Sequence, residues 1–418
     1  MNQAHFQSRG ELKKKAIRAL YGLKNTVHKP TLSFQSLTTL FDSLIKPIVL
    51  YGAPVHTPTM SILKDLVKFI NSSTPQTKQF APASVLRKIS SLNSEKVHLH
   101  FLKWALGVNR KASNAGTWGE SGRHPLIYEA VNLTLKYFKR LQGLKDNSLV
   151  SLAIKEQIDL NLDWYKGIKQ ILQLDSQFSE NHVALYRAKN NKPSSPTLPH
   201  KEIFLIHNGF KKRIPQQKVT PNISRAFTPH HIMKQLKGSF KSIWRSSINS
   251  SSKLHLYSTL KTHFTKEHYL DLIKTYQDRA NMTRIRISAH RLEIETGRYK
   301  NIPKNERTCS WCNLVFNNKD VEDELHLLNS CDLYAKDRSN LVRKLNMLNP
   351  TTRESITNTT NFLKIICNTD QNTPGQAVPA NSHQAHVSRI VSRYITNCLK
   401  NRSKFLDPSK QNNLEGAK

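Results

Sequence analysis

Three cysteines and one histidine in the last third of the chain have the types and spacing of metal ligands. They form the pattern C-x2-C-x13-H-x4-C, made by Cys309, Cys312, His326 and Cys331. Two thiolates on a tight turn can share one Zn2+ ion, and a histidine and a cysteine about one helical turn apart can complete a tetrahedron. Because four protein ligands leave no position open for water, the pattern predicts a structural zinc ion.

The alternative interpretation is three reduced thiols beside a surface histidine. Against it, three of the chain's five cysteines fall within a window of 23 residues. Residues 320–328 have a helical pattern with Leu325 and Leu328 on the inner side, which would direct His326 toward the cysteines. The acidic run 322–324 on the same segment is predicted to be a solvated face.

Charge is the dominant feature of the composition. Lysine and arginine number 64 against 29 acids, which gives a formal net charge of +35. A folded chain with this excess repels itself unless a polyanion neutralises it. Phosphate backbones do so with release of counterions, so the charge predicts RNA and DNA as partners.

Nine cations are candidates for contacts with nucleic acid because they lie on predicted helices of the basic regions. In the basic region 231–300 the aromatic residues Trp244, Tyr257, Phe264, Tyr269 and Tyr276 interleave with lysines and arginines, but their helical spacing favours core positions over stacking on bases. The candidates are Lys13, Lys14, Lys15, Lys136, Arg140, Arg284, Arg286, Arg291 and Arg298.

The periodicity of apolar residues predicts a mainly α fold. Helical patterns cover residues 11–24, 37–45, 130–144, 231–300 and 386–400. We expect a thumb-like helical region at 1–175, a polar linker at 176–228 and a basic helical region at 229–300. A Cys3His zinc element at 301–345 and a partly disordered basic tail at 346–418 follow.

Several functions lack their usual sequence signals. Polymerases of the two-metal type need paired carboxylates, and the chain contains no Asp-Asp pair. Nor does it contain a glycine-rich phosphate loop or the HExxH and GxSxG motifs. The chain is therefore predicted not to be an enzyme as it stands and to have no small-molecule substrate. Without a signal peptide or membrane span, and with an odd number of cysteines, it is expected to be intracellular and nuclear.

Five blocks together resemble one protein family, the reverse transcriptases of LINE-type non-LTR retrotransposons. The resemblance covers the region from the thumb to the Cys-Cys-His-Cys zinc element. The blocks occur in family order from about residue 11 to 340, and the order makes them specific. They are LFDSLIKPIVLYG at 40–52, FLKWALGVNRKASNAGTWGESGRHPL at 101–126, ISAHRLEIETGRY at 287–299, RTCSWC at 307–312 and EDELHLLNSCDLY at 322–334.

The resemblance implies thumb-like helices followed by a zinc element that helps to grip template RNA and target DNA during target-primed reverse transcription. It also implies that fingers and a palm with catalytic aspartates belong upstream of Met1, and that an upstream polymerase/endonuclease portion is a partner of this chain. One departure is Val55-His56, where the family usually has an acidic residue and a tryptophan.

Two other functions stay open at this point. The first is a host zinc-knuckle nucleic-acid-binding protein without polymerase ancestry, which would need the zinc module but not the blocks before it. The second is an active polymerase whose carboxylates are not recognisable from their spacing.

Overall fold

The computed structural model describes residues 2–71, 82–144, 148–174, 204–207, 210–213, 228–348, 379 and 382–406. The fold is mainly α, as the sequence predicted. None of the helices in these ranges is long and apolar enough to cross a membrane.

Among the described residues up to 174 there are eleven α-helices. They are α1 (Asn2–Thr26), α2 (Phe34–Leu40), α3 (Lys46–Val49), α4 (Ala53–His56), α5 (Ser61–Asn71), α6 (Pro82–Ser91), α7 (Asn93–Leu106), α8 (Asn114–Ser121), α9 (Leu126–Leu141), α10 (Leu149–Asp159) and α11 (Asp163–Leu172). A π-helical turn, Phe41–Ile45, joins α2 to α3.

In the described residues from 204 to 406 there are two strands and eight further α-helices. They are β1 (Phe204–His207), β2 (Phe210–Arg213), α12 (Pro229–Asn249), α13 (His255–Leu260), α14 (Tyr269–Leu272), α15 (Tyr276–Arg286), α16 (Glu293–Tyr299), α17 (Ser310–Phe316), α18 (Ala335–Leu348) and α19 (His383–Phe405). The strands pair antiparallel, with Phe204 opposite Arg213.

The described contacts divide the chain into two compact units. The first comprises residues 50–89 and 125–243. Its helices α4 and α9 pack together, and Trp164 of α11 donates a hydrogen bond to the carbonyl oxygen of Pro54 at 2.9 Å. Gly167 lies so close to Pro58 that a Cβ atom would sit 1.9 Å from its carbonyl oxygen. Helix α11 therefore approaches the 50–60 segment more closely than any side chain would allow.

The second unit comprises residues 2–49, 90–124 and 244–418. Here α1 packs on α3 and α7, and the C-terminal helix α19 packs on α15 and α18. Gly122 has a left-handed φ of +63°, and a Cβ atom there would lie 2.2 Å from the backbone nitrogen of Lys266. Glycine is needed at this position because of both the backbone angle and the neighbouring chain.

The helices predicted over 11–24, 37–45 and 130–144 are confirmed by α1, by α2 with the following π turn, and by α9. Most of the polar linker predicted at 176–228 lies outside the described residues, as does most of 346–382. The strand pair falls inside the predicted linker. The helix predicted at 386–400 is confirmed and extends over His383–Phe405. The domain boundaries drawn from the sequence stay a prediction.

Candidate functional site

The four predicted metal ligands are held by short elements with many local hydrogen bonds. Cys309 and Cys312 lie at the start of α17, and an antiparallel bridge between Thr308 and Val321 brings the next segment alongside. The amide of Cys309 donates to the carbonyl oxygen of Asp320 at 2.8 Å. The two cysteines therefore face the segment that carries the histidine.

The helical segment after this bridge positions His326 and Cys331. It ends in a π-helical turn, His326–Ser330, after which the amide of Cys331 donates to the carbonyl oxygen of His326 at 2.9 Å. The prediction for Leu325 is wrong, since this side chain is 37% exposed while Leu327 and Leu328 are buried. The π turn inserts one extra residue per turn, which shifts the inner face relative to an α-helix.

The four side chains converge, with their potential ligand atoms all within 4.8 Å of one another. Cys309 Sγ lies 3.9 Å and Cys312 Sγ 3.7 Å from Cys331 Sγ, and His326 Nε2 lies 3.4 Å from Cys312 Sγ. Zinc bonds of about 2.3 Å to sulfur and about 2.0 Å to nitrogen place tetrahedral ligand atoms roughly 3.5–3.8 Å apart. The donor set and its distances fit a tetrahedral metal ion.

The electrostatics of the cluster also favour a cation. Hydrogen bonding by Cys331 and His326 lowers the pKa of Cys309 to about 3, although burial opposes this. Burial and the negative charge of Cys309 raise the pKa of Cys312 to about 11. The Cys309 thiol therefore loses its proton readily, and its negative charge hinders deprotonation of Cys312. A divalent cation would stabilise the thiolate forms of all three cysteines.

Carboxylates beside the cluster orient the histidine. Asp323 accepts a hydrogen bond from the backbone amide of His326 at 2.8 Å, and Asp320 lies 3.8 Å from its Nδ1. Because Nε2 is the nitrogen nearest the thiols, a carboxylate on the Nδ1 side favours the tautomer that leaves Nε2 free to bind a metal.

The acidic run 322–324 is not the solvated face that the sequence suggested. Glu322 is buried and forms a bidentate pair with Arg402 of α19, at 2.6 and 2.7 Å. Glu324 is also buried and accepts hydrogen bonds from Ser288 at 2.6 Å and from His290 at 2.8 Å. Sequence reasoning missed these carboxylates because their partners lie at least 29 residues away along the chain.

The predicted nucleic-acid contacts are spread over both units. In the second unit Lys13 is half-buried on α1, while Lys14 and Lys15 are exposed and Lys14 pairs with Glu11 at 2.8 Å. In the first unit Lys136 and Arg140 are exposed on α9.

Of the remaining candidates, Arg291 is exposed, and Arg298 is half-buried and pairs with Glu295 at 3.2 Å. Arg284 is half-buried and donates through Nε to the carbonyl oxygen of Gly107 at 2.8 Å. Its guanidinium group lies near the ammonium group of Lys29.

Arg286 requires a correction, because its side chain is 0% exposed. It pairs with Glu120 at 3.1 Å and with Glu267 at 2.8 Å, and Glu267 also binds the buried Lys261. Burial raises the pKa of Glu120 despite the neighbouring charge of Arg286. This arginine balances two interior carboxylates and is not available to a phosphate on the surface.

The aromatics of the basic region lie mainly in the core, as their spacing predicted. Trp244, Tyr257, Phe264 and Tyr269 are buried, and Tyr276 is half-buried. Their polar atoms also serve the interior, since Trp244 Nε1 donates to the carbonyl oxygen of Ala115 at 2.9 Å.

A second group of residues gathers cations on aromatic rings in the second unit. We call it the cationic cluster; it consists of Lys24, Lys29, Arg110 and Arg284 with the rings of Tyr21, Trp104 and Tyr276. Lys29 Nζ lies 4.2 Å from the ring centroid of Tyr276 and 5.0 Å from that of Trp104. Lys24 Nζ lies 5.5 Å from both the Tyr21 and the Trp104 centroids.

The guanidinium groups complete the cluster. Arg110 donates to the hydroxyl of Tyr21 at 3.5 Å. Arg284 adds its charge beside Lys29. Sequence reasoning found Arg284 alone, because the members come from α1, the loop after it, α7, the loop that follows α7, and α15, and no local pattern unites them.

Comparisons of this chain with known protein families, with curated proteins and with solved structures found no match.

Proposed function

We propose that this chain is a non-catalytic nucleic-acid-binding segment, of the kind that follows the palm in LINE-type retrotransposon reverse transcriptases. Its role is to hold template RNA and target DNA, and its Cys3His cluster binds one structural Zn2+ ion. The retrotransposon part rests on the ordered sequence blocks, and the nucleic-acid part rests on charge.

The observation that carries the proposal is where the charges lie. At least seven of the 29 acids are buried, and only four of the 64 lysines and arginines are buried among the described residues. Several of these acids are paired inside the protein, such as Glu120, Glu267 and Glu322. The surface is therefore more cationic than the net charge suggests, and a polyanion relieves its self-repulsion.

The blocks behind the resemblance also contact one another within the second unit, which supports their treatment as one module. Asp42 of the first block pairs with Arg123 of the second, with one oxygen–nitrogen distance of 3.0 Å. His290 of the third binds Glu324 of the last at 2.8 Å. These sequence blocks are therefore joined by contacts in the fold.

The packing of the zinc element favours this proposal over a host zinc-knuckle protein. A free-standing knuckle needs no support, yet Glu322 is tied to Arg402, and Tyr394 donates to the carbonyl oxygen of Leu328 at 2.6 Å. Trp311 of α17 also meets Phe405 edge to face, with 5.2 Å between ring centroids. The element is built as part of a larger helical body.

The proposal is tested by the binding of the full zinc-loaded chain to RNA and single-stranded DNA at increasing salt. The logarithm of the affinity should fall linearly with the logarithm of salt concentration, by roughly 0.7 per neutralised phosphate on single strands. Homopolymers of different sequence should bind within a few fold of one another.

A salt-independent affinity, or no binding at low salt, would contradict the nucleic-acid role. If a fragment of residues 301–345 alone bound nucleic acid as tightly as the full chain, the result would instead favour the host zinc-knuckle protein.

A further inference from the structure

Four cations of the second unit lie together without a carboxylate to balance them. No ion pair joins Lys24, Lys29, Arg110 or Arg284 to an acid among the described residues. Lys24 instead donates a hydrogen bond to His100, with 2.9 Å between Nζ and Nε2. Burial, followed by the charges of Lys24 and Arg110, lowers the pKa of His100 to about 4, so this imidazole is neutral near pH 7. The four cations repel one another, which disfavours folding at this site.

The cluster is also ordered before any ligand arrives. The ammonium groups of Lys24 and Lys29 rest on aromatic rings, an arrangement that stabilises a cation and limits its rotamers. Arg284 is held by hydrogen bonds to Gly107 and to Asn281 at 2.8 and 2.9 Å. Side chains fixed in this way lose less entropy on binding than free surface lysines.

We propose that the cationic cluster is a binding site for the backbone phosphates of a nucleic-acid strand, with Lys24, Lys29, Arg110 and Arg284 as the phosphate ligands. The inference rests on the proposed function and names where on this chain the strand is held. An anion is the ligand that complements this geometry, and the partial burial of Lys24, Lys29 and Arg284 strengthens its attraction to these cations.

The protonation of the two lysines gives the site a signature of its own. Burial, followed by the charge of Arg110, lowers the pKa of Lys24 to about 8. Burial, followed by the charges of Lys24, Arg284 and Arg279, lowers the pKa of Lys29 to about 8. A bound phosphate reverses the balance and raises both pKa values, so binding near pH 8.5 takes up protons.

The first experiment compares two double variants of the full chain that remove the same charge. Lys24→Gln with Lys29→Gln alters the cluster, whereas Lys336→Gln with Lys344→Gln alters exposed lysines of α18. For a fluorescent single-stranded RNA, the cluster variant should lose about tenfold more affinity. Its salt slope should also fall by roughly 1.4, the contribution of two phosphates on a single strand.

The second experiment keeps the charge and removes the titration. Lys24→Arg with Lys29→Arg should bind RNA nearly as well as the native chain, because a guanidinium also binds phosphate. Calorimetry at pH 8.5 in buffers of different ionisation enthalpy should show proton uptake by the native chain and by the α18 variant. The arginine variant should show almost none, since arginine stays protonated.

Equal losses of RNA affinity in the two glutamine variants would overturn the cluster assignment while leaving the proposed function intact. The cluster assignment would also be overturned if the cluster variant lost binding to phosphatidylserine vesicles but kept its binding to RNA. The cluster would then bind a lipid surface. Failure of the native chain to bind RNA at all would instead remove the proposed function itself.

Discussion

Arg284 and Arg286 stand two residues apart in one helix and have different roles. Arg284 is half-buried and belongs to the cationic cluster, whereas Arg286 lies in the interior between Glu120 and Glu267. Removal of one partner from a buried ion pair leaves an uncompensated charge, which costs about 3–5 kcal/mol.

Arg286→Met should therefore lower the free energy of unfolding by about 3–5 kcal/mol, because it leaves the interior carboxylate of Glu120 without its ion-pair partner and Glu267 with Lys261 alone. Urea denaturation followed by circular dichroism measures the loss. Arg291→Met, at an exposed position, is the matched control and should stay within about 0.5 kcal/mol of the native chain. Equal stability of the two variants would place Arg286 outside the core network.

The metal ligands provide the second prediction at this scale. Purified chain should contain one zinc per molecule, and Cys309→Ser should lose it because three ligands hold the ion less well than four. Elemental analysis by plasma mass spectrometry gives the ratio. Cys398→Ser is the control, since Cys398 is a buried thiol outside the cluster and should leave zinc in place. Full zinc content in the Cys309 variant would mean that the ligand set is wrong.

These two cases show what local sequence can reveal about single residues. The ligand set was predictable because its four members lie close together in the chain and their spacing reflects local turns. Arg286 was not, because its partner Glu120 is 166 residues away. The burial of Glu322 and Glu324 in the acidic run 322–324 escaped prediction because their partners also lie far away along the chain.

At the scale of elements, α19 is the clearest difference between expectation and structure. The sequence suggested a basic tail, and the helix does carry exposed cations such as Arg393 and Lys400. Its other face is buried, including Ser388 and Ser392, whose small polar side chains weaken the apolar stripe that periodicity detects. The helix was therefore recognisable, but its packing role was not.

The ion pair between Arg402 of α19 and Glu322 of the zinc element can be tested by removing one or both of the charges. Arg402→Leu leaves Glu322 buried without its partner and should destabilise the chain by about 3–5 kcal/mol. The double variant Arg402→Leu with Glu322→Leu should recover much of the lost free energy of unfolding, because no unpaired charge is then buried. Chemical denaturation of the two single variants and the double variant gives the coupling.

Zinc content supplies the control for this cycle. All three variants should keep one zinc per chain, since neither Glu322 nor Arg402 belongs to the ligand set. A double variant no more stable than Arg402→Leu would mean that packing, and not the buried charge, dominates the contact.

For the whole molecule, the distribution of carboxylates bears on catalysis. Among the described residues, the cluster suited to a metal ion is Cys3His, which offers thiolates and an imidazole. Two-metal phosphoryl transfer needs hard oxygen ligands that hold two ions about 4 Å apart. The neighbouring buried carboxylates Glu120 and Glu267 share Arg286 as a counter-ion, and Glu267 also pairs with Lys261.

The proposed non-catalytic role predicts that the chain alone does not extend a DNA primer on an RNA template with Mg2+ or Mn2+. The assay is gel-resolved primer extension with the zinc-loaded chain over a wide range of protein concentration. The same preparation must bind the primer–template in a shift assay, so that inactivity reflects missing catalysis and not missing substrate. Extension that disappears on a single Asp→Ala or Glu→Ala change within the chain would falsify the non-catalytic assignment, because contamination by another polymerase would not respond to that change.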